Sequence, residues 1–397
     1  MIQQISRFMT KTTVFHGLGS TEITGAETAK QGVTRALIVC GPRVRKAGLL
    51  EGVEKSLSAA EIGYEIFDTV EEDADVDTVH ALVLRIKETG CNGVVAVGGG
   101  SSLCAAKGAA LEAANDVESI RELEGVNQYK VPPLPLICLP TTAGAGTDVS
   151  WGVPIVDPEN GREFSIAGDT LQPPVSILDP MLLRTCPPWP MICAGLDALS
   201  HAVEALWGMQ ATFLTDALAN EAIRVIMGNL KRAALTDDME AKSKQHLASA
   251  IANFAGGNAG MGIVHGIAVS IGNLKGPHGY KCGMLLPFGI EFNMPVCEEK
   301  FARIATILGE SSRGKTTAGL ARLFLHRIKQ LLIDLDFPRR FKPEDLAEDR
   351  IPDLIKEVRQ HIPPFLDINL RKVMDEDITR ICKASLEGWD TGIKRYE

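Results

Sequence analysis

Four short apolar runs in the first half of the chain restrict its fold more than any other sequence feature. They are Ala36–Cys40 (ALIVC), Gly93–Val97 (GVVAV), Leu134–Leu139 (LPLICL) and Val175–Leu178 (VSIL). Each run is almost entirely apolar instead of alternating, as is typical of strands that are buried on both faces of a sheet. Amphipathic helical segments separate the runs. This order predicts an α/β fold with a mainly parallel sheet.

The second half of the chain has a different pattern, because from about Pro187 onward long segments keep a helical period. The clearest examples are Leu196–Met209, Asp216–Leu230 and Phe301–Leu308. A chain of 397 residues is long enough for two domains at about 150 residues each. We therefore predict an α/β domain over residues 1–186 and a helical domain over residues 187–397. A single α/β domain with a helical extension would lead to the same functional argument.

Composition and charge exclude several function classes. The net charge of -9 argues against a nucleic-acid partner, since binding to phosphate backbones needs an excess of Lys and Arg. No apolar run is long enough to cross a membrane, and Met1–Phe15 lacks the apolar core of a secretion signal. The nine cysteines form no Cys-x-x-Cys pair, which favours reduced thiols in a cytoplasm. We expect a soluble cytoplasmic protein.

Two glycine-rich segments follow predicted strands. Gly98–Ser102 (GGGSS) precedes a predicted helix over Leu103–Ala114, and amides at a helix start suit an anionic group such as a pyrophosphate. The same glycines also fit an ordinary tight turn, and the Rossmann G-x-G-x-x-G pattern is absent. Pro140–Thr147 (PTTAGAGT) follows another strand and adds hydroxyl groups at the same sheet edge, where ligands of open α/β sheets bind.

One carboxylate and three imidazoles are candidates for a metal site. Asp197 and His201 are four residues apart in a helical segment, so their side chains share one face. His265 falls in another predicted helix, and His278 lies in Gly276–Gly279 (GPHG). Such a set suits iron(II) or zinc. A lone Asp-x-x-x-His pair is more often a surface or capping pair, and the spacing alone does not bring the four together.

One further motif is a decoy. Gly309–Thr316 (GESSRGKT) matches the P-loop pattern letter for letter. A P-loop must follow a buried strand, whereas Phe301–Leu308 has helical spacing. We interpret the segment as a helix end, with Gly309 as the stop, followed by a polar loop.

The chain resembles the iron-containing alcohol dehydrogenases, also called the group III dehydrogenases, over nearly its whole length. The order and spacing of many motifs carry the resemblance. They are Val14–Gly19 (VFHGLG), Gly98–Ser101 (GGGS), Pro140–Gly144 (PTTAG), Gly195–Ala202 (GLDALSHA), Gly262–His265 (GIVH), Pro277–Gly279 (PHG) and Asn293 after Leu286–Pro287.

The resemblance implies an N-terminal Rossmann-like dinucleotide-binding domain, an all-helical C-terminal domain and a cleft between them. Family members use NAD or NADP, and a metal beside the nicotinamide binds the substrate oxygen as a Lewis acid while hydride is transferred. Four protein ligands would leave only a fifth position on the metal for the substrate oxygen. Such five-coordination suits iron(II) somewhat better than zinc, which prefers tetrahedral sites. The implied metal ligands are Asp197, His201, His265 and His278. The implied coenzyme contacts are Gly99, Gly100, Ser101, Thr141, Thr142 and Thr147.

Two departures from the family pattern bear on catalysis. Cys104 stands where the family has an acid, either as an activated thiol or, as we prefer, as a small buried side chain that fills space. Val269 stands four residues after His265, where the family has a second histidine. The loss of that histidine puts a proton relay in doubt, and the resemblance assigns no acid or base of the protein to the reaction. We expect an active enzyme with altered proton handling.

Two further departures concern the coenzyme. Many NAD-using members carry an acid after the first long strand, where this chain has Gly41, followed by Arg43 and Arg45. Loss of an anion and gain of guanidinium groups favour NADP, although both arginines also fit a solvated helix start. Arg162 replaces the family's usual lysine, so a cation is retained in the coenzyme groove.

The resemblance implies a small alcohol or aldehyde as the substrate. Trp151, Phe254 and Val269 are candidates for an apolar pocket, and core packing explains each of them almost as well. The family resemblance implies a homodimer or a larger homo-oligomer. One alternative is a glycerol-dehydrogenase-like or dehydroquinate-synthase-like enzyme of the same superfamily. Another is a non-catalytic metal- and nucleotide-binding member, motivated by Cys104 and Val269.

Overall fold

A computed structural model describes residues 6–271, 277–361 and 363–390 of the chain. Met1–Ile5 of the N-terminal segment and Gly276 of the motif around His278 lie outside the described residues. The chain divides into two compact units. The first contains Met9–Pro187 and Asp237–Ala250, and the second contains residues 6–8, Pro188–Thr236 and the described residues from Ile251 onward. The limits 1–186 and 187–397 stay a prediction.

The first unit is built on a six-stranded parallel sheet. Its strands are β1 (Thr13–His16), β2 (Arg35–Val39), β3 (Gly63–Phe67), β4 (Gly93–Gly98), β6 (Leu136–Pro140) and β9 (Val175–Leu178). The order across the sheet is β1-β9-β6-β4-β2-β3, and every pairing is parallel. A smaller sheet beside it contains β5 (Gly125–Val126), β7 (Gly152–Asp157) and β8 (Arg162–Ala167).

The central strands are buried on both faces, which explains their continuous apolar sequences. On β2, Leu37 and Val39 join one apolar cluster, whereas the alternate residues Ala36 and Ile38 join another. The helices of this unit connect the strands. They are α1 (Thr24–Lys30), α2 (Pro42–Lys46), α3 (Glu51–Ala59), α4 (Val76–Thr89) and α5 (Gly100–Ala114).

The second unit is helical. Its helices are α6 (Pro188–Ala205), α7 (Phe213–Leu235), α8 (Met239–Ala259, shared with the first unit), α9 (Ile263–Ser270), α10 (His278–Ile307), α11 (Thr317–Asp334), α12 (Ile351–His361), α13 (Pro363–Asp367) and α14 (Asp375–Glu387). Extended pairing among its described residues is limited to one isolated bridge, between Gly208 and Asn369. No helix in the described ranges has the length and apolar character that a membrane span needs.

The predicted fold class is confirmed, with differences at its edges. The sequence-based prediction omitted β1 and β3, because these outer strands are partly exposed and carry mixed residues. The predicted strand over Leu134–Leu139 starts two residues too early. Leu134 instead donates its amide to the Ala110 carbonyl, 2.9 Å away, and the proline that follows has no amide to pair.

The rejection of the P-loop is also confirmed. The residues before Gly309 belong to α10 and not to a strand. Gly309 has a φ of 95°, a left-handed conformation that glycine adopts without strain where a helix stops. Its amide bonds to the Thr306 carbonyl at 3.0 Å.

Candidate functional site

Three helices of the second unit bring the predicted metal ligands together. Asp197 and His201 lie one turn apart on α6, His265 lies on α9, and His278 is the first residue of α10. Asp197, His201 and His265 are buried, and the His278 side chain is 36 % exposed. Four residues that are spread over more than sixty positions of the sequence therefore form one cluster.

The Asp197 carboxylate lies at the centre of this cluster. Its Oδ1 atom is 3.9 Å from His201 Nε2, 3.5 Å from His265 Nε2 and 3.8 Å from His278 Nε2. The same oxygen is buried and has no hydrogen-bond partner among the described residues. A buried carboxylate oxygen without a donor is costly, and a divalent cation would satisfy it. The donor set fits iron(II) or zinc.

The charge states of Asp197 and His201 also suit a cation. Burial alone would raise the pKa of Asp197, but His201, His265 and His278 hold it well below its usual range. Burial lowers the pKa of His201 to about 4, so its imidazole is neutral at pH 7. An ionised carboxylate and a neutral imidazole both offer lone pairs to a metal ion.

Glu204 supports the cluster and was not singled out from the sequence. It is buried on α6, and its carboxylate accepts a hydrogen bond from His265 Nδ1. It also accepts the amides of Gly262 (2.9 Å), Val264 (2.9 Å) and His265 (3.2 Å) at the start of α9. The carboxylate therefore caps α9 and orients the ring of His265. The available signal was its spacing, seven residues after Asp197 on the same helix face.

Cys282 is a second residue that sequence reasoning missed. It is buried on α10, one helical turn after His278. Its Sγ atom lies 3.3 Å from His278 Nε2 and 3.8 Å from His265 Nε2. The ligand atoms of Asp197, His265, His278 and Cys282 all lie within 4.8 Å of one another. The i, i+4 spacing from His278 was the signal that could have found it.

In the first unit, the two glycine-rich segments leave neighbouring parallel strands and lie side by side. Gly98 on β4 pairs with Pro140 on β6, and the Thr141 amide donates to the Gly98 carbonyl at 2.9 Å. A Cβ atom on Gly99 would lie 3.4 Å from Thr142 Cγ2, and one on Gly100 would lie 3.3 Å from the Cβ of Ala145. The predicted common sheet edge is thus present in the structure.

Lys107, which the sequence reasoning did not consider, holds the second of these segments. It is buried on α5, and its ammonium donates to the carbonyls of Thr147 (3.1 Å), Ser150 (2.8 Å) and Gly152 (2.9 Å) and to Ser150 Oγ (3.1 Å). Ser101 Oγ in turn accepts the Asp73 amide at 3.1 Å. The signal for Lys107 was a cation among the small and apolar residues of a helix.

The remaining predicted coenzyme residues have local partners. Gly41 precedes α2, and a Cβ atom there would lie 2.8 Å from the Val70 carbonyl oxygen. Arg162 begins β8, where its two terminal nitrogens donate to the Glu124 carboxylate at 2.6 and 2.7 Å. Thr147 is buried against Cys104, with 3.8 Å between the hydroxyl and the thiol.

Comparison with known proteins gives this arrangement a family. The family model of iron-containing alcohol dehydrogenases matches residues 11–180, and the model of the C-terminal domain of the same family matches residues 191–386. The chain belongs to the iron-containing alcohol dehydrogenase family. The family expectation from the sequence motifs is confirmed, and with it the reaction class of alcohol dehydrogenases and aldehyde reductases. The glycerol-dehydrogenase-like and dehydroquinate-synthase-like alternatives are not favoured.

Individual relatives cover almost the whole chain. Choline dehydrogenase of Bacillus subtilis (strain 168) is 33% identical over 92% of this chain and 91% of its own. NAD-dependent methanol dehydrogenase of Bacillus methanolicus is 32% identical over 93% of this chain and 97% of its own. Among solved structures, a 1,3-propanediol oxidoreductase superposes with a TM-score of 0.92 at 28% identity, covering 96% of this chain and 100% of its own.

Two positions that depart from the family pattern can now be located. Cys104 is buried on α5, and burial raises the pKa of its thiol to about 11. A thiol that stays protonated at neutral pH is a poor nucleophile, which supports the interpretation that Cys104 fills space. Val269 lies on α9, one turn after His265, and is half-buried.

The predicted pocket residues are divided between the units. Trp151 belongs to the first unit, and Phe254 and Val269 belong to the second. All three side chains are half-buried. Their shared role in a substrate pocket stays a prediction.

Proposed function

We propose that this family member is a metal-dependent enzyme that transfers hydride between NADP or NAD and a small alcohol or aldehyde. The observation that carries the proposal is the buried Asp197 oxygen, which faces three histidine nitrogens and has no hydrogen-bond partner among the described residues. Asp197, His201, His265 and His278 would hold iron(II), with zinc as the alternative. When bound, such an ion supplies Lewis-acid polarisation of the substrate oxygen.

The coenzyme would bind along the two glycine-rich segments. In this proposal Gly99, Gly100 and Ser101 hold the pyrophosphate, and Thr141, Thr142 and Thr147 line the rest of the groove together with Arg162. Backbone amides at the start of α5 supply the partial positive charge that a pyrophosphate needs. The nicotinamide supplies the hydride chemistry. No acid or base of the protein is assigned to the reaction.

We propose NADP as the preferred coenzyme. An acid at position 41 would recognise the ribose hydroxyl of NAD, but here the position is Gly41, and a Cβ atom would lie 2.8 Å from the Val70 carbonyl oxygen. Arg43 and Arg45 supply cations, although they pair with Glu72 and Glu54. We therefore expect a modest preference instead of an absolute one.

The substrate class is a small alcohol or aldehyde, in line with relatives named for methanol, choline and 1,3-propanediol. Trp151, Phe254 and Val269 would make the pocket partly apolar. Val269 offers no proton where a histidine would, so the proton transfer that accompanies hydride transfer would depend on solvent. We also expect a cytoplasmic homodimer or larger homo-oligomer.

The decisive experiment is aldehyde reduction by protein stripped of metal and reloaded separately with iron(II) or zinc, with NADPH and with NADH. We expect turnover only after reloading, and faster turnover with NADPH. Tight metal binding without turnover over a broad panel of alcohols and aldehydes would instead favour a non-catalytic metal- and nucleotide-binding protein. Full activity of the stripped protein would contradict the proposal.

A further inference from the structure

We propose that Cys282 is an additional ligand of the metal in this chain, so that a thiolate joins the carboxylate and the imidazoles. The proposal rests on the metal site of the proposed function and deepens it. Cys282 is one turn from His278 on α10, so both side chains point to the same side of the helix. Its Sγ atom is fully buried in the cluster and not exposed at a surface.

The distances between donor atoms carry the proposal. Cys282 Sγ is 3.3 Å from His278 Nε2 and 3.8 Å from His265 Nε2, and Asp197 Oδ1 is 3.8 and 3.5 Å from the same two nitrogens. Ligand bonds of about 2.0–2.1 Å for nitrogen and about 2.3 Å for sulfur place neighbouring ligands about 2.9–3.6 Å apart, from octahedral to tetrahedral geometry. Each of the four separations lies within that range or about 0.2 Å above it, so the sulfur is placed as the carboxylate oxygen is.

The supporting contacts also favour a ligand over a filler of space. Glu204 accepts from His265 Nδ1, which leaves His265 Nε2 facing the sulfur and Asp197. The Asp197 oxygen at the centre is buried and has no hydrogen-bond partner among the described residues. Without a metal, the thiol would serve as a weak hydrogen-bond partner of the two rings. With a metal, the thiol proton leaves to solvent as the bond from sulfur to metal forms.

A sulfur ligand changes which ion the site prefers. Thiolates are soft ligands that favour zinc, whereas a set of carboxylate and imidazoles alone also suits iron(II). We therefore expect this protein to favour zinc over iron(II) more strongly than a site with the same carboxylate and histidines but without Cys282 would. Replacement of Cys282 by serine should lower zinc affinity by more than about 10-fold and change iron(II) affinity less.

The test is the absorption spectrum of the protein loaded with cobalt(II) in place of its metal. A cobalt–thiolate bond gives a charge-transfer band in the near ultraviolet, which a site of oxygen and nitrogen ligands lacks. We expect the band in the unmodified protein, its loss in Cys282→Ser and its retention in Cys297→Ser. Cys297 is a matched control because it is buried on the same helix and its thiol contacts the Leu206 carbonyl.

The outcomes separate this proposal from the proposed function. Visible cobalt bands without the charge-transfer band would overturn the role of Cys282 and leave the metal site intact, as would a band that survives in Cys282→Ser. Failure to bind cobalt, zinc or iron(II) would overturn both. If Cys282→Ser does not fold, zinc X-ray absorption on the unmodified protein decides, since a thiolate ligand requires a sulfur neighbour at about 2.3 Å.

Discussion

The cluster around Asp197 and the glycine-rich segments after β4 and β6 are built in opposite ways. The cluster depends on the functional groups of side chains, since its carboxylate, imidazoles and thiol are the parts that could bind an ion. The segments depend on the absence of side chains, since Gly98, Gly99 and Gly100 bring backbone amides to the sheet edge. The chemistry of the side chains decides what the cluster can bind, and the small size of the residues decides what the glycine-rich segments can bind.

The two regions share one device, which is a buried charge that holds backbone groups in place. In the second unit, the Glu204 carboxylate accepts amides at the start of α9. In the first, the Lys107 ammonium donates to the Thr147 carbonyl at the end of the glycine-rich segment and to the Ser150 and Gly152 carbonyls just beyond it. The charge is opposite because a helix start presents amides and the segment presents carbonyls.

Replacement of a central ligand should have the largest effect. In Asp197→Asn the volume is kept and the negative charge is lost, so we expect the affinity for zinc or iron(II) to fall by more than about 100-fold, beyond the usual cost of losing an outer partner. Metal affinity is measured by competition with a chelator, and aldehyde reduction should fall in parallel. Asp216→Asn is the matched control, because Asp216 pairs with Lys300 away from the cluster. Equal metal affinity in both variants would contradict the site.

The next effect tests the support of the cluster. Glu204→Gln keeps one accepting oxygen and replaces the other with a donor, so His265 Nδ1 or an amide of α9 loses its acceptor. We expect metal affinity to fall by about 10–100-fold, less than for Asp197→Asn. Thermal unfolding without metal should also occur at a lower temperature, because the start of α9 loses part of its cap. Unchanged metal affinity would mean that Glu204 serves the helix alone.

The contrast between Asp197 and Glu204 shows how far the sequence reaches. The helical period and the apolar runs predicted the fold class, because such patterns are local. The order of the motifs along the chain predicted the four candidate ligands. Glu204 and Cys282 share helix faces with those ligands, but many buried residues do so. Their contacts to α9 depend on how the helices pack, which no local pattern encodes. Lys107 escaped notice for the same reason, since its acceptors lie about forty residues onward.

The glycine-rich segments are tested by a pair of substitutions. Gly99 has extended backbone angles, and a Cβ atom there meets Thr142 at an ordinary 3.4 Å. Gly99→Ala should therefore leave the melting temperature within about 2 °C and still raise the Kd for coenzyme about 10-fold, about 1.4 kcal/mol, by keeping the pyrophosphate off the amides. Calorimetric titration measures the Kd for NADPH and the Kd for NADH.

Gly98→Ala is the second substitution of the pair, and it tests the stability of the fold. A Cβ atom at Gly98 would lie 2.5 Å from Ser102 Cβ, so the variant should lose about 1–3 kcal/mol of folding stability. If Gly99→Ala is stable and its Kd for coenzyme is unchanged, the pyrophosphate binds elsewhere.

The smallest effect is expected from the exposed arginines beside Gly41. Arg43 is 84% exposed and pairs with Glu72, which is 74% exposed, a setting in which a charge contributes at most about 1 kcal/mol. Arg43→Ala should reduce the ratio of kcat/KM for NADPH to that for NADH by less than about 5-fold, and higher salt should shrink the difference. Arg224→Ala removes an exposed arginine paired with Glu221 on α7 and serves as the control. If the ratio does not change, the preference lies in groups other than Arg43, and Arg45, which pairs with Glu54, becomes the next cation to remove.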